Sequence, residues 1–340
     1  MFAQHGKLRV FSGVQPTGKL HLGTLIGALD VWVGNQQKHD NVFCIVDLHA
    51  LTIPEAVRPD DLRSKVREVA GLYLACGIDP ATSAIFVQSR IPAHAELAWV
   101  LNCVTPLGWL ERMTQYKAKS AGTESVGTGL LDYPVLQAAD ILLYDTDLVP
   151  VGEDQRQHVE LTRDIARRFN HLFGETFVIP DALIRQSGAR LMGLDDPSIK
   201  MSKSIGAQKA GHAIGILDPP DAIRRSIMGA VTDPNSETRF DHAGPGVLNL
   251  LVMYEALSGE ARPEIEARFE KKGYGQLKRA LTDVVIERLA PIQRRYAEVA
   301  SSPGEIERIM EEGAGRVRPR AEATMDRVRR LTGLAERPSP

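Results

Sequence analysis

The sequence predicts an α/β protein with a doubly wound parallel sheet, followed by a C-terminal all-helical domain. In the first half of the chain, apolar runs rich in β-branched residues alternate with segments of helical period, as in a parallel sheet with crossover helices. Beyond Asp218 the strand signals disappear and only amphipathic helical patterns follow. A chain of 340 residues is long enough to bury a core in both parts.

The first unit is a strand, a turn and a helix. Residues 10–14 form an apolar run typical of a buried strand. Pro16 and Gly18 mark the turn that follows. From Leu22 onward the apolar residues recur on one helical face, so a helix begins there.

The other elements are predicted from the same two signals, short apolar runs for strands and a 3.6-residue period for helices. The further strands are 41–47, 84–88 and a brief extended segment at 149–152. The helices of the first half are 59–76, 93–119 with a break near 105–106, 133–144 and 153–169, and residues 195–206 form a loop. The helices of the second half are 219–229, 244–258, 262–272, 276–300 and 304–332.

Ligands of doubly wound sheets bind beyond the carboxyl ends of the strands. Residues 13–15, Asp47 and Gln88 follow the predicted strands, so we expect them to share that edge. The turn after the first strand leads into a helix N-terminus, where backbone N–H groups attract anions. It is neither a Walker loop nor a GxGxxG turn, and an ordinary turn with His21 as a capping or surface residue is the alternative.

A second phosphate-binding candidate lies far along the chain, in the sequence KMSKS at residues 200–204. Lys200 and Lys203 are three residues apart in a loop, where two ammonium groups can clamp a polyphosphate. Loop lysines usually belong to solvated surface, so this stretch alone does not establish a site.

Together, PTGKLHLG and KMSKS resemble the two signatures of class I aminoacyl-tRNA synthetases. The stretches VFSGVQPTG, LERMTQYKAKS, YPVLQAADILLY and VPVGEDQRQH are similar to the tryptophanyl-tRNA synthetase family of bacterial and mitochondrial type. The resemblance extends from about Val10 to about Leu331. It implies a Rossmann-like catalytic domain at residues 1–205 with a helical insertion at about 93–145, and a helical tRNA anticodon-binding domain at residues 206–340.

The resemblance also implies a role for individual residues. The catalytic ones are Lys119, Lys200, Lys203 and Gln15. ATP, with Mg²⁺ on its phosphates and no metal held by the protein, would be bound by Gln15, Pro16, Thr17, His21, Gly23, Thr24, Gly152, Glu153, Asp154, Leu191, Lys200, Met201, Ser202, Lys203 and Ser204. Tryptophan would be bound by Phe11, Gly13, Tyr133, Gln137, Asp140, Val149, Val151 and Gln155.

Asp140 lies on an otherwise apolar helix face, and a buried carboxylate there needs a hydrogen-bond donor. The resemblance makes that donor the indole N–H of tryptophan, a group that donates and does not accept. A hydrogen bond between helices, or an ion pair with an arginine, is the alternative. Two residues depart from the family: Thr24 stands where histidine or asparagine is common, and Gln137 where many bacterial members carry methionine.

The composition gives 43% apolar residues, 25% charged residues and a formal net charge of −2, as in a globular protein without a general basic coat. The three cysteines form no CxxC pair, and neither a signal peptide nor an apolar run of membrane length is present, so we expect a cytoplasmic protein. Arginines of the last helix form a candidate RNA-binding patch, with a solvated basic face as the alternative: Arg316, Arg318, Arg320, Arg327, Arg329 and Arg330.

The resemblance therefore implies a homodimeric tryptophan–tRNA ligase that uses ATP, L-tryptophan and tRNA(Trp). The nearest alternative is tyrosyl-tRNA synthetase, but Phe11 lacks the hydroxyl that a phenol pocket needs there. A nucleotidyltransferase of another class would need neither the GEDQ element nor the helical domain. The remaining alternative is a non-catalytic paralogue that binds RNA or protein, against which the intact Lys200, Lys203 and Asp140 argue.

Overall fold

The computed structural model describes residues 6–120, 126–184, 190–202, 206, 209–235 and 237–335. It contains a five-stranded, all-parallel sheet in the order β3-β2-β1-β4-β5, which confirms the predicted fold class. The strands are β1 (Arg9–Val14), β2 (Asp40–Ile45), β3 (Ser83–Val87), β4 (Leu148–Val151) and β5 (Asp181–Ile184). Strand β5 was not predicted, because it is short, lies at an edge of the sheet and has no fully buried residue to mark it.

The helices of the first half alternate with these strands. They are α1 (Leu22–Thr24), which continues through a π-helical segment (Leu25–Leu29) into α2 (Asp30–Asn35), then α3 (Pro59–Cys76), α4 (Ala93–Val104), α5 (Leu107–Glu111), α6 (Thr114–Ser120), α7 (Thr128–Leu142) and α8 (Arg156–Phe173). The second half contains α9 (Pro220–Met228), α10 (Pro245–Ser258), α11 (Arg262–Phe269), α12 (Tyr274–Ala300) and α13 (Pro303–Thr332). The predicted helices of the second half are confirmed to within a few residues.

Two apolar cores lie on the two faces of the sheet. One joins the sheet to helices α4, α7 and α8, and it also includes residues of α13. The other joins the sheet to α3 and to the helices of the second half as one continuous cluster. The division of the chain at residues 205 and 206 stays a prediction. None of the helices in the described part of the chain is long and apolar enough to cross a membrane.

The last helix lies directly on the edge strand β3. The hydrogen of Gly313 faces the backbone carbonyl of Ile85, and a Cβ at this position would overlap that carbonyl. One turn further along, the guanidinium of Arg316 donates to the carbonyl oxygens of Pro80, Ala81 and Ser83, at 2.6 to 3.2 Å. The helix therefore covers an edge that would otherwise offer unpaired backbone groups to another strand.

The interpretation of the last helix as an RNA-binding patch or a solvated face is wrong for most of its arginines. Arg320 pairs with Asp40 at 2.8 Å, and Arg327 pairs with Asp145. Arg329 is 2% exposed and donates to both carboxylate oxygens of Glu96, at 2.8 and 2.9 Å. With Arg316, these side chains attach the last helix to the α/β part of the chain. The sequence shows the charges but not their partners, which are distant along the chain.

Candidate active site

The residues predicted to bind tryptophan gather where strands β1 and β4 meet helix α7. Phe11 is 4% exposed and its ring stacks on that of Tyr144, with centroids 5.8 Å apart. Gly13 is exposed two residues further along β1, and a Cβ there would lie 3.0 Å from Cγ1 of Val46. Val149 and Val151 occupy alternate positions of the neighbouring strand β4 and so face the same side.

Helix α7 contributes Tyr133, Gln137 and Asp140, which recur at four- and three-residue intervals and therefore share one face. Tyr133 and Gln137 are half-buried, whereas Asp140 is 1% exposed. Along this face the exposure of the side chains therefore falls from Tyr133 and Gln137 to Asp140.

Asp140 forms the centre of a buried hydrogen-bond network. Oδ1 accepts from Nε2 of Gln88 at 2.6 Å and from Nδ1 of His94 at 2.7 Å. Oδ2 accepts from Nε2 of His49 at 2.9 Å. Behind this layer, the hydroxyl of Tyr144 lies 2.8 Å from Nε2 of His94. Because burial raises the pKa of Tyr144 well above its ordinary value, the hydroxyl keeps its proton and donates.

This network keeps Asp140 ionised. Burial alone would raise the pKa of the carboxyl group, but the hydrogen bonds from His49 and His94 outweigh burial and lower the pKa to about 2. A carboxylate can accept about four hydrogen bonds in all. Three of these places are taken within the described residues, two on Oδ1 and one on Oδ2. One acceptor position on Oδ2 therefore remains for a ligand N–H.

The hydroxyl of Tyr133 lies 2.9 Å from Nε2 of His158 and 3.2 Å from Oε1 of Gln115. Burial raises the pKa of this phenol to about 12, so it is a neutral donor. Gln155, predicted to hold the polar end of the amino acid, ends the 3₁₀ turn after β4 and is half-buried. Tyr133 and Gln155 thus bring hydrogen-bonding groups to the less buried end of the predicted set.

The first signature forms the nucleotide side of the site. His21 precedes α1, is 8% exposed, and has its Nε2 atom 3.5 Å from Oγ1 of Thr24. Its ring lies against Gly23, where an added Cβ would be 3.0 Å from Nδ1. A larger residue here would press against the imidazole, so the glycine gives the ring room.

The second signature lies beside the first. An antiparallel bridge pairs Met192 with Lys200, and the N–H of Met201 donates to the carbonyl of Leu191 at 3.0 Å. Leu191 and Met201 are buried, and Cβ of Leu191 lies 3.8 Å from the Cβ position of Gly23. The structure thus brings together Gly23, Leu191 and Met201, which are far apart in sequence and were predicted to contact ATP.

Among the other predicted residues, Gln15 donates through Nε2 to the carbonyl of His49 at 2.7 Å and so joins the two halves of the site. Pro16 is buried, Thr17 and Ser202 are half-buried, and Lys200, Gly152 and Glu153 are exposed. Glu153 forms an ion pair with Arg156 at 3.2 Å. Four predicted groups lie outside the described part of the structure: residues Lys203 and Ser204, and the side chains of Lys119 and Asp154.

A cleft of about 680 Å³ opens between the two signatures and helix α9. Its walls include His21 and Ser202 from the signatures and Arg225 from α9. In the described part of the chain, no three His, Cys, Asp or Glu side chains are grouped as metal ligands. The cleft can admit a phosphate chain.

Sequence reasoning missed His49, His94 and His158, all of which contact predicted site residues. It required a donor for Asp140 but could not name it, because His49 and His94 are 91 and 46 residues away in sequence. Gln88 was predicted at the sheet edge without a role. The partners are histidines and a glutamine, not an arginine. The bond from His94 on α4 to Asp140 on α7 is a hydrogen bond between helices, which was one of the alternatives for this carboxylate.

The chain is similar to known proteins. Residues 3–290 match the family model described as tRNA synthetases class I (W and Y). A tryptophan–tRNA ligase of Gloeobacter violaceus is 52% identical over 327 residues, which cover 96% of each chain. A tryptophanyl-tRNA synthetase structure from Campylobacter jejuni, complexed with ADP and tryptophan, is 35% identical, with a TM-score of 0.82 over 96% of this chain and 100% of that one. The Mycoplasma pneumoniae tryptophanyl-tRNA synthetase structure is 33% identical, with a TM-score of 0.89 over 97% and 98% of the two chains.

Proposed function

The chain belongs to the class I tRNA synthetases for tryptophan and tyrosine, and we infer that it is a tryptophan–tRNA ligase. In the first step the carboxylate of tryptophan attacks the α-phosphate of ATP, tryptophanyl-adenylate forms and pyrophosphate leaves. In the second step the acyl group passes to the terminal ribose of tRNA(Trp), and AMP leaves. These substrates belong to translation, so we propose that the enzyme acts in the cytoplasm.

The buried carboxylate of Asp140 is the observation that carries this proposal. It is ionised, it is held by three donors, and Oδ2 has one acceptor position left. Indole N–H donates and does not accept, so it matches that position. A hydrogen bond to a charged acceptor contributes about 1.5–3 kcal/mol, and a site built around it rejects analogues without the N–H group.

The nucleotide would lie across the two signatures. We propose that His21, Gly23 and Thr24 contact adenosine and its phosphates, with the backbone at Leu191 and Met201 on the other side. Lys200, with Lys119 and Lys203, would neutralise the charge that develops on the departing pyrophosphate, while Gln15 lies near the reacting groups. Mg²⁺ would be bound by phosphate oxygens of ATP and by water, as this cation prefers.

The helices beyond residue 206 are proposed to bind the anticodon of the tRNA. Because α13 is bound to the α/β part of the chain through Arg316, Arg320 and Arg329, we assign this role to helices α9 to α12. A homodimer is also proposed. Trp99 on α4 is 71% exposed and Leu107 on α5 is 58% exposed, and large exposed apolar side chains suit an interface between subunits.

Tyrosine is the second candidate substrate, and two observations favour tryptophan. Phe11 has no hydroxyl that could pair with a phenol at the end of β1. The oxygens of Asp140 accept the N–H groups of His49 and His94, so this carboxylate can offer a ligand an acceptor and no donor. A phenol accepts as well as donates, and it would leave its acceptor capacity unpaired there.

ATP–pyrophosphate exchange measured with each of the twenty amino acids tests the proposal, followed by charging of tRNA(Trp) and tRNA(Tyr). We expect exchange with tryptophan and charging of tRNA(Trp). Preferred exchange with tyrosine would replace the substrate assignment. Absence of exchange with every amino acid would favour a non-catalytic paralogue.

A further inference from the structure

We propose that His212 is a positioning residue that orients the Lys200 end of the second signature. The proposal rests on the function inferred above, since it concerns the backbone that carries a phosphate-binding lysine. His212 lies outside both signatures, and nothing in the pattern of the sequence marks it.

The backbone around Lys200 forms one side of a small ladder. Besides the bridge between Met192 and Lys200, the N–H of Gly193 donates to the carbonyl of Ile199 at 2.8 Å. On the other side of the ladder, the amide of Asn249 makes two bonds of 2.9 Å to the N–H and carbonyl of Met192. Residues 191–193 are therefore held on both sides, and Lys200 adjoins them through the bridge to Met192.

His212 supports the backbone of Lys200. Its residue is 1% exposed, and Nδ1 lies 2.6 Å from Oδ1 of Asp195. Its other ring nitrogen, Nε2, lies 3.4 Å from the carbonyl oxygen of Lys200. The backbone carbonyl of His212 accepts from Leu194 at 3.1 Å. One imidazole thus connects the chain before the signature, the signature itself and the chain after it.

The ring has a prepared space. A Cβ on Gly193 would lie 2.4 Å from Cε1 and 2.6 Å from Nδ1 of His212, so only glycine leaves room for the imidazole. The carboxylate of Asp195 is held in turn by Nζ of Lys209 at 2.6 Å. The ring is buried, Gly193 leaves it space and Asp195 binds it, so these three features together give the ring a single position.

The two ring nitrogens have different tasks. Both face oxygen atoms that accept and cannot donate, a carboxylate and a backbone carbonyl. The contact through Nδ1 anchors the ring, and the contact through Nε2 sets the direction of the Lys200 carbonyl and hence the path of the signature. Small errors in the placement of groups around a transition state reduce rate more than ground-state binding.

Two substitutions separate these tasks. His212→Asn keeps a donor at the place of Nδ1 and removes the donor to Lys200. His212→Gln can place its amide N–H at the position of Nε2, so it keeps the donor to Lys200. We expect His212→Asn to lower kcat of tryptophan-dependent pyrophosphate exchange by about 10- to 100-fold with KM for tryptophan unchanged, and His212→Gln to stay within about threefold of the wild type.

The matched control is His242→Asn, because His242 also pairs with carboxylates, Glu237 and Asp241, but is exposed and distant from the cleft lining. It should leave kcat unchanged. Thermal melts of all variants separate loss of rate from loss of folding.

If Asn retains the rate and Gln loses it, the pair with Asp195 is the whole role of His212 and the positioning claim is overturned. Equal losses in both variants that follow their melting temperatures would overturn it as well. The function inferred above is judged separately, by exchange in the wild type.

Discussion

His49 donates to Oδ2 of Asp140 at 2.9 Å. Within the described residues, this is the one hydrogen bond that Oδ2 accepts, so Oδ2 can accept one more. His49 therefore fixes the orientation of the carboxylate while leaving it able to bind one more N–H group. This relationship makes specificity for tryptophan testable at a single atom pair.

The first prediction concerns that atom pair. Asp140→Asn keeps the shape but removes the charge, so it should lower kcat/KM for tryptophan by about 10- to 100-fold. A benzothiophene analogue, which lacks the ring N–H, should lower kcat/KM of the wild type by a similar factor. It should lower kcat/KM of the variant much less, because both changes remove the same contact. Asp132→Asn on the same helix is the control. Independent, fully additive effects would show that Asp140 does not contact the indole.

A second prediction follows from the pKa of Asp140, which its partners lower from 3.8 to about 2. Because the pKa is lower in the folded state than in the unfolded state, the ionised carboxylate stabilises the fold above pH 3.8. This stabilisation is lost as the pH falls toward 2. The difference corresponds to about 2 kcal/mol of unfolding free energy. The unfolding free energies of the wild type and Asp140→Asn, measured with urea, should therefore approach each other by about that amount between pH 5 and 2. A constant gap across this range would contradict the ionised state.

The packing of the last helix gives a third prediction, with two glycines as a matched pair. Gly313→Ala should lower the unfolding free energy by about 1–3 kcal/mol, because the methyl group meets the backbone carbonyl of Ile85. Gly315→Ala, on the same helix with no atom within 4 Å, should raise it by about 0.5–1 kcal/mol through helix propensity. Denaturant melts measure both. Equal effects would mean that the helix does not lie on β3 as described.

The space beside His212 allows a fourth prediction. Gly193→Ala should displace the imidazole and reproduce the effect of His212→Asn on kcat, with KM for tryptophan unchanged. Gly27→Ala is the control, since it has no neighbour within 4 Å of the added Cβ. The double variant Gly193→Ala with His212→Asn should have about the kcat of either single variant. A loss of kcat equal to the product of the two single losses would show that the residues act separately.

Local signals predicted much of the fold. Helix α13 was expected at 304–332 and spans Pro303–Thr332. The prediction was possible because the apolar period of the helix and the residues that flank it form one continuous stretch of sequence. Strand β5 was missed because four residues, three half-buried and one exposed, carry too little pattern. The two signatures could be found because each is contiguous in sequence.

The contacts between distant residues could not be predicted in the same way. The need of Asp140 for a donor is a local inference, but the choice of His49, Gln88 and His94 is made by the fold. Likewise Arg329 shows a positive charge in the sequence, and only the structure shows that Glu96, 233 residues earlier, neutralises it.

The contact of the last helix with β3 has a consequence for biosynthesis. Arg316 is 233 residues later than Ser83, whose carbonyl it binds. At synthesis rates of about 5–20 residues per second, the strand leaves the ribosome tens of seconds before its cover. During that interval the nascent chain exposes a bare strand edge, the kind of surface that pairs with other chains or recruits chaperones. The synthesis of α13 is thus also the event that covers this edge of the sheet.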